Sequence, residues 1–220
     1  MKHMIGGLFM GIFVSAAGLG ASEAVAVAPP APSDKVTMER VAFKNRISID
    51  MAGDLYVPKN IDRSKKHMGI VVGHPFGGVK EQTAGLHAQK LAELGYVALA
   101  FDASFYGDSG GQPRHIEVPE IRVEDFSAAV DFLSNYALVA PNRIGVLGMC
   151  GGGSYAVSAA QIDHRIKALA TISMFDMGRA RREGAPGLPP RTYEERMKTL
   201  DDVGEERTKE FAGGERRDLA

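Results

Sequence analysis

One cysteine, no tryptophan and almost no net charge set the first limits on this chain. With Cys150 as the single cysteine, no intrachain disulfide and no cysteine-based metal site can form, and the lone thiol stands out as a reactive group. The 26 basic and 27 acidic side chains nearly cancel, which removes the electrostatic case for nucleic acid as a partner. The histidines are scattered without the short spacing of metal ligands, so neither a metal nor another cofactor is expected. After His164 there is no histidine at all. What is present is a 45% hydrophobic composition over 220 residues, enough to build one globular core.

The N-terminus is read separately. Lys2 and His3 precede an uncharged apolar run at 4–20, and small residues with two A-x-A sites follow, Ala24-Val25-Ala26 and Ala26-Val27-Ala28. This is the pattern of a secretory signal peptide over 1–28, so a periplasmic or secreted location is expected. Membrane attachment would follow only if that segment stayed uncleaved. Pro29, Pro30 and Pro32 stiffen a linker over 29–34. The core is expected over 35–178, followed by a charged segment over 179–220.

Residues 143–156, RIGVLGMCGGGSYA, carry the strongest chemical signal. The apolar run 144–147 is short and flanked by glycine, as in a buried strand. It breaks at Gly148-Met149-Cys150-Gly151-Gly152 and resumes with helical composition. A strand, a sharp turn and a helix make a nucleophile elbow, with the Cys150 sulfur as the attacking atom. The start of the helix would favour the thiolate, and the Gly151 amide would face an oxyanion formed by attack on a carbonyl. The competing reading makes Cys150 a small buried residue in a nucleotide-binding turn, but the G-x-G-x-x-G spacing is missing.

Upstream, 36–43 and 47–57 alternate as two antiparallel strands, and 68–73, MGIVVG, reads as a strand buried on both faces. His74-Pro75-Phe76-Gly77-Gly78 follows it directly. Glycines at that place let backbone amides approach a ligand; Phe76 is the favoured oxyanion donor and Gly77 the alternative, because Pro75 has no N–H. His74 is read as a loop anchor beside the site rather than a base. A helix at 81–95 leads to a strand at 96–101, which ends at Asp102. The loop behind it contains Gly107-Asp108-Ser109-Gly110-Gly111, the peptide around the serine of trypsin-like proteases. Those proteases are all-β, so this segment is read instead as a tight loop at the mouth of the site, with Tyr106 offering a hydroxyl. A helix at 118–139 and a strand at 166–172 complete an alternation that predicts an α/β, doubly wound, mostly parallel sheet with its site at the carboxyl ends of the strands.

The HPFGG loop after one strand, YGDSGG after the next and GMCGGG after the third resemble, in order and spacing, the α/β-hydrolase superfamily. The elbow cysteine is similar to the dienelactone hydrolase branch, and the general layout is also similar to X-Pro dipeptidyl-peptidase hydrolase domains. The resemblance spans 36–175. It implies an esterase-like enzyme acting on a small ester-type substrate: Cys150 attacks, Gly151 and Phe76 hold the oxyanion, and a histidine oriented by an acid completes the cycle.

The chain departs from that pattern after the sixth strand. The family places its acid after the seventh strand and its histidine after the eighth. Here Asp176 is the only candidate for a displaced acid, and His74, His87, His115 and His164 fall in elements that the family does not use for the base. The sheet is therefore expected to stop at 166–172 with an open apolar edge, a surface suited to pairing with a second copy. Residues 179–220 read as one or two solvated helices, a cap or a tail. A fragment is the favoured explanation, beside completion by a partner chain and a homologue kept for binding. Impaired hydrolysis is expected, with a non-catalytic binding module or an acyltransferase using the same covalent step as the alternatives.

Overall fold

The computed structural model describes residue 31, residues 33–184 and residues 190–215. The expected signal peptide lies outside the described residues, as do residues 29, 30 and 32 of the linker. Six strands, β1 (Val36–Lys44), β2 (Asp50–Pro58), β3 (His67–Gly73), β4 (Val97–Phe101), β5 (Val139–Met149) and β6 (Ile166–Ile172), form one sheet in the order β1-β2-β4-β3-β5-β6. β2 runs antiparallel to both β1 and β4, and β3, β4, β5 and β6 run parallel to one another. The helices are α1 (Gly85–Glu93), preceded by a wide turn at Lys80–Ala84, α2 (Pro119–Asn135), α3 (Gly151–Ile162), α4 (Met177–Glu183) and α5 (Tyr193–Phe211). This is the mostly parallel α/β sheet that the alternation predicts.

The two faces of the sheet follow from the strand period of two. Along β4, Val97, Leu99 and Phe101 point to the α2 and α3 side, where they join Phe126, Leu133, Tyr155 and Ala156. Ala98 and Ala100 point the other way and meet Ala84, Ala88 and Ala92, so small side chains on both sides let α1 lie close to the sheet. Phe126 is 1% exposed and its ring stands edge-on to Phe101 at 5.2 Å. Truncating it to alanine would cost about 3–5 kcal/mol.

Several boundaries differ from the sequence reading, among them the start of α1 and the α2–β5 junction. α2 stops at Asn135, since Tyr136 is already extended, and β5 starts at Val139, five residues before the apolar run. The exposed Pro141-Asn142-Arg143 stretch hides that start from a hydrophobicity pattern, and the β3–β5 register shifts between His67 and Gly69.

Sheet register assembles the site. Gly73 pairs with Phe101 on one side and Gly148 on the other, so the segments that follow β3, β4 and β5 leave the sheet side by side at its carboxyl edge. At the far side β6 pairs only with β5 among the described residues, and Leu169 and Ile172 are 40% and 39% exposed. α4 and α5 contain no buried residue. α5 is capped by a reciprocal pair, Thr192 Oγ1 accepting from the Glu195 amide and Glu195 Oε2 from the Thr192 amide.

Candidate active site

Cys150 joins β5 to α3 with φ 49° and ψ −122°, a conformation disfavoured for any side-chain-bearing residue and worth about 1–3 kcal/mol of strain. Three backbone hydrogen bonds hold it there. Its amide donates to Ile172 O at 2.9 Å, and its carbonyl accepts from Gly153 at 3.0 Å and from Phe175 at 3.1 Å. The flanking glycines leave no room for side chains. A Cβ on Gly148 would sit 2.6 Å from Gly152 O, and one on Gly152 would overlap the His74 carbonyl oxygen. Strand, helix and the loop after β3 therefore converge on one half-buried sulfur.

The loop after β3 brings its amides to the elbow. The point where a Gly151 side chain would begin lies 3.4 Å from Phe76 N and 3.1 Å from Phe76 Cβ. Gly78 N donates to Pro75 O, closing a tight turn in which Gly77 takes φ +67°. The amides of Phe76, Gly77 and Gly151 have no acceptor among the described residues. Cys150, Gly151 and Phe76 are thus together, and Gly77 is the adjacent exposed residue of the same turn.

His74 lies behind this turn, fully buried, and does not line an open surface. Its Nδ1 faces Pro75 O at 2.7 Å, and its Nε2 accepts from the Ala103 amide at 3.1 Å and faces Arg122 Nη1 at 3.2 Å. Those partners require the neutral ring with its proton on Nδ1. Burial, then the Arg122 guanidinium, lower its pKa to about 3. Tyr106 is likewise buried, packed 6.0 Å from the His74 ring, and its hydroxyl is pushed up to about 12 by burial and by Glu117. Both residues support the loop from within.

A second group, which the sequence reading passed over, ties the same loop to the segment after β4. Lys80 donates through its amide to Asp102 Oδ1 at 2.7 Å and through Nζ to Asp102 Oδ2 at 2.8 Å. The same ammonium reaches Asp108 Oδ2 at 2.7 Å and Glu81 Oε1 at 2.5 Å. These three carboxylates offer oxygens all within 4.8 Å of one another, and the ammonium already supplies their positive charge. Burial pulls the Lys80 pKa down, but the bonds to Asp102, Asp108 and Glu81 together hold it above the ordinary lysine range. The available signal was a lysine just past a glycine loop and an aspartate closing the next parallel strand, both at the sheet's carboxyl edge.

Asp176 has a different role from the displaced acid expected of it. It is exposed, and its Oδ1 accepts the Arg179 amide at 2.8 Å as the N-cap of α4. Asp176 also lines the cavity beside the elbow, and no described histidine hydrogen-bonds to it or to Cys150. His67 Nε2 faces Asp62 O, His87 Nδ1 faces Thr83 O, His115 stacks edge-on to Tyr106, and His164 precedes β6. Cys150 Sγ has no hydrogen-bond partner among the described residues. Beside the elbow, a cavity of about 780 Å³ is lined by Glu117, Tyr155, Ile162, Met177 and Arg181. Met177 forms its border with the site, with Sδ 3.2 Å from the Gly151 side-chain position.

Comparison with known proteins bears on the family and the fold. PA2218, an uncharacterized protein of Pseudomonas aeruginosa, is 48% identical over 182 residues, covering 83% of this chain and 48% of its own length. Its crystal structure matches with a TM-score of 0.78 over 83% of this chain and 56% of that one, at 47% identity. YcjY of Escherichia coli K12, also uncharacterized, is 43% identical over 74% of this chain and 51% of its own length. The thiohydrolase aneE of Aspergillus aculeatus is 28% identical over 74% of this chain and 50% of its own length. The chain spans about half the length of the curated relatives it matches. The model of the dienelactone hydrolase family matches residues 51–175, more than half of the chain, and the protein belongs to that family, with the α/β-hydrolase fold.

Proposed function

We propose that this protein is a hydrolase of ester or thioester bonds that works through covalent attack by Cys150. The observation that carries the reading is one sulfur on a strained elbow, with Phe76 N 3.4 Å from the Gly151 side-chain position and neither amide bonded to an acceptor among the described residues. Sγ adds to the carbonyl carbon, the π electrons move to oxygen, and the amides take up that charge. Collapse breaks the bond to the leaving oxygen or sulfur, which takes a proton. Water then attacks the acyl-cysteine, releasing the acid and restoring the thiol. The thiohydrolase among the relatives fits this chemistry.

No histidine bonds to Sγ among the described residues, and for these 220 residues taken alone the proposal assigns proton transfer to solvent buffer. Loss of a triad member lowers turnover by several powers of ten in established cases. Acylation by an activated ester should therefore outrun deacylation. With p-nitrophenyl acetate we expect a burst of one p-nitrophenolate per chain, followed by slow turnover, and acetyl on the peptide that carries Cys150. Cys150→Ala should remove both. A wild-type protein that gives no burst and no acetylated peptide would leave only a non-catalytic binding role; a burst followed by rapid release when alcohols are added would indicate transfer rather than hydrolysis.

A further inference from the structure

Two consecutive residues at the end of β4 hold the two legs of the loop that carries Phe76 and Gly77. The Ala103 amide donates to His74 Nε2 on the entering leg, and the Asp102 carboxylate takes the Lys80 amide on the leaving leg. Within the loop Pro75 O accepts from Gly78 N and from His74 Nδ1, and the Val79 amide donates to Gln82 Oε1 at 3.3 Å. The leaving leg is fixed most heavily, because the Lys80 ammonium also binds Asp108 and Glu81 and is itself 1% exposed. Asp102 has no exposure and accepts the Asp108 amide as well, and Gly107 is packed so tightly on its carboxylate that a side chain there would overlap it.

We propose that Lys80 and Asp102 are positioning residues: their two hydrogen bonds set the height of the turn 75–78 over the elbow, and so place the Phe76 amide beside Gly151 to receive an oxyanion. The inference rests on the reading of Cys150 as nucleophile. Neither residue touches the reacting atoms. The arrangement differs from a mere brace between loops in one respect: a loosened clamp should damage carbonyl addition, which needs the amides in place, and spare reactions of the same sulfur that develop no oxyanion.

That difference supplies the test, made on the full chain. Acylation of Cys150 by p-nitrophenyl acetate is compared with its alkylation by iodoacetamide, a displacement at saturated carbon. In Lys80→Met we expect acylation to fall about 10–100-fold, the scale of a misplaced oxyanion donor, with alkylation within about twofold of wild type. Lys80→Arg, which keeps the charge, should recover part of the loss. If Lys80→Met does not fold, Asp108→Ala removes one partner at an exposed carboxylate and should lower the acylation-to-alkylation ratio by about 3–10-fold on the same scale. A folded variant in which both rates change together overturns the proposal. Amide hydrogen exchange separates this outcome from failure of the nucleophile assignment. If wild type shows no burst, that assignment falls, and Gly78 N–H exchange in the variants still decides the clamp: faster there but unchanged in β3 and β4 supports it, and unchanged at Gly78 sinks it.

Discussion

Lys80 and Asp102 are joined twice, once through the lysine amide and once through its ammonium, and both side chains are closed to solvent. A buried pair of this kind contributes little relative to a well-packed apolar pair, yet breaking it leaves the survivor uncompensated. Lys80→Met is therefore expected to lower unfolding free energy by about 3–5 kcal/mol. Lys80→Met with Asp102→Asn should cost less than the sum of the two single variants, with a coupling of about 1–3 kcal/mol in urea unfolding. Additive losses would mean that the two groups do not depend on each other.

How far the sequence reveals this molecule follows from the range of each interaction. The elbow is legible because strand, glycines and helix are contiguous around Cys150, although the bonds that hold its backbone angles come partly from Ile172 and Phe175. β4 is legible for the same reason, five apolar residues closed by glycine and aspartate. The Lys80–Asp102 pair spans 22 residues, and the Asn45–Asp125 bond spans 80; each exists only because the sheet order sets β3 beside β4 and the β1–β2 turn beside α2. No periodicity within one segment reports such meetings. Asp176 illustrates the opposite case, a carboxylate conspicuous by position and used by the chain as a helix cap.

His74 should make stability depend on pH. In the unfolded chain its ring titrates near 6.5, whereas in the fold burial and Arg122 hold it near 3. Between those values the unfolded chain binds a proton that the folded chain refuses, so stability contributed by the neutral ring is present above about pH 6.5 and lost as pH falls toward 3, by up to about 1.4 kcal/mol per unit. Urea midpoints followed from pH 7 to pH 4 should fall more steeply for wild type than for His74→Asn, which begins less stable but cannot titrate. Parallel curves would contradict the buried neutral ring.

Cys150 should be a site where stability and chemistry oppose each other. Its φ of 49° is strained for cysteine and for alanine alike, but open to glycine. Cys150→Gly is expected to raise stability by about 1 kcal/mol, a few degrees in Tm, while abolishing acylation. Cys150→Ala should abolish acylation without that gain. Thermal melts of the two variants side by side read the difference, and a glycine variant no more stable than the alanine one would mean that the elbow stores no strain.

Ser109 tests whether the protease-like peptide Gly107-Asp108-Ser109-Gly110-Gly111 has any chemical role. The serine is 2% exposed, its Oγ donates to Asp102 O at 2.7 Å, and it accepts the Ala52 amide at 2.9 Å. With its proton and a lone pair committed to backbone groups, it ties the end of β4 to β2 and has no free edge toward a substrate. Ser109→Ala would orphan an amide and weaken a carbonyl in the interior, so a loss of about 1–3 kcal/mol in urea unfolding is expected. The burst with p-nitrophenyl acetate, measured per folded molecule, should keep its full amplitude. A folded Ser109→Ala protein without a burst, beside a Cys150→Ala protein that retains one, would transfer the nucleophile from the elbow to this loop.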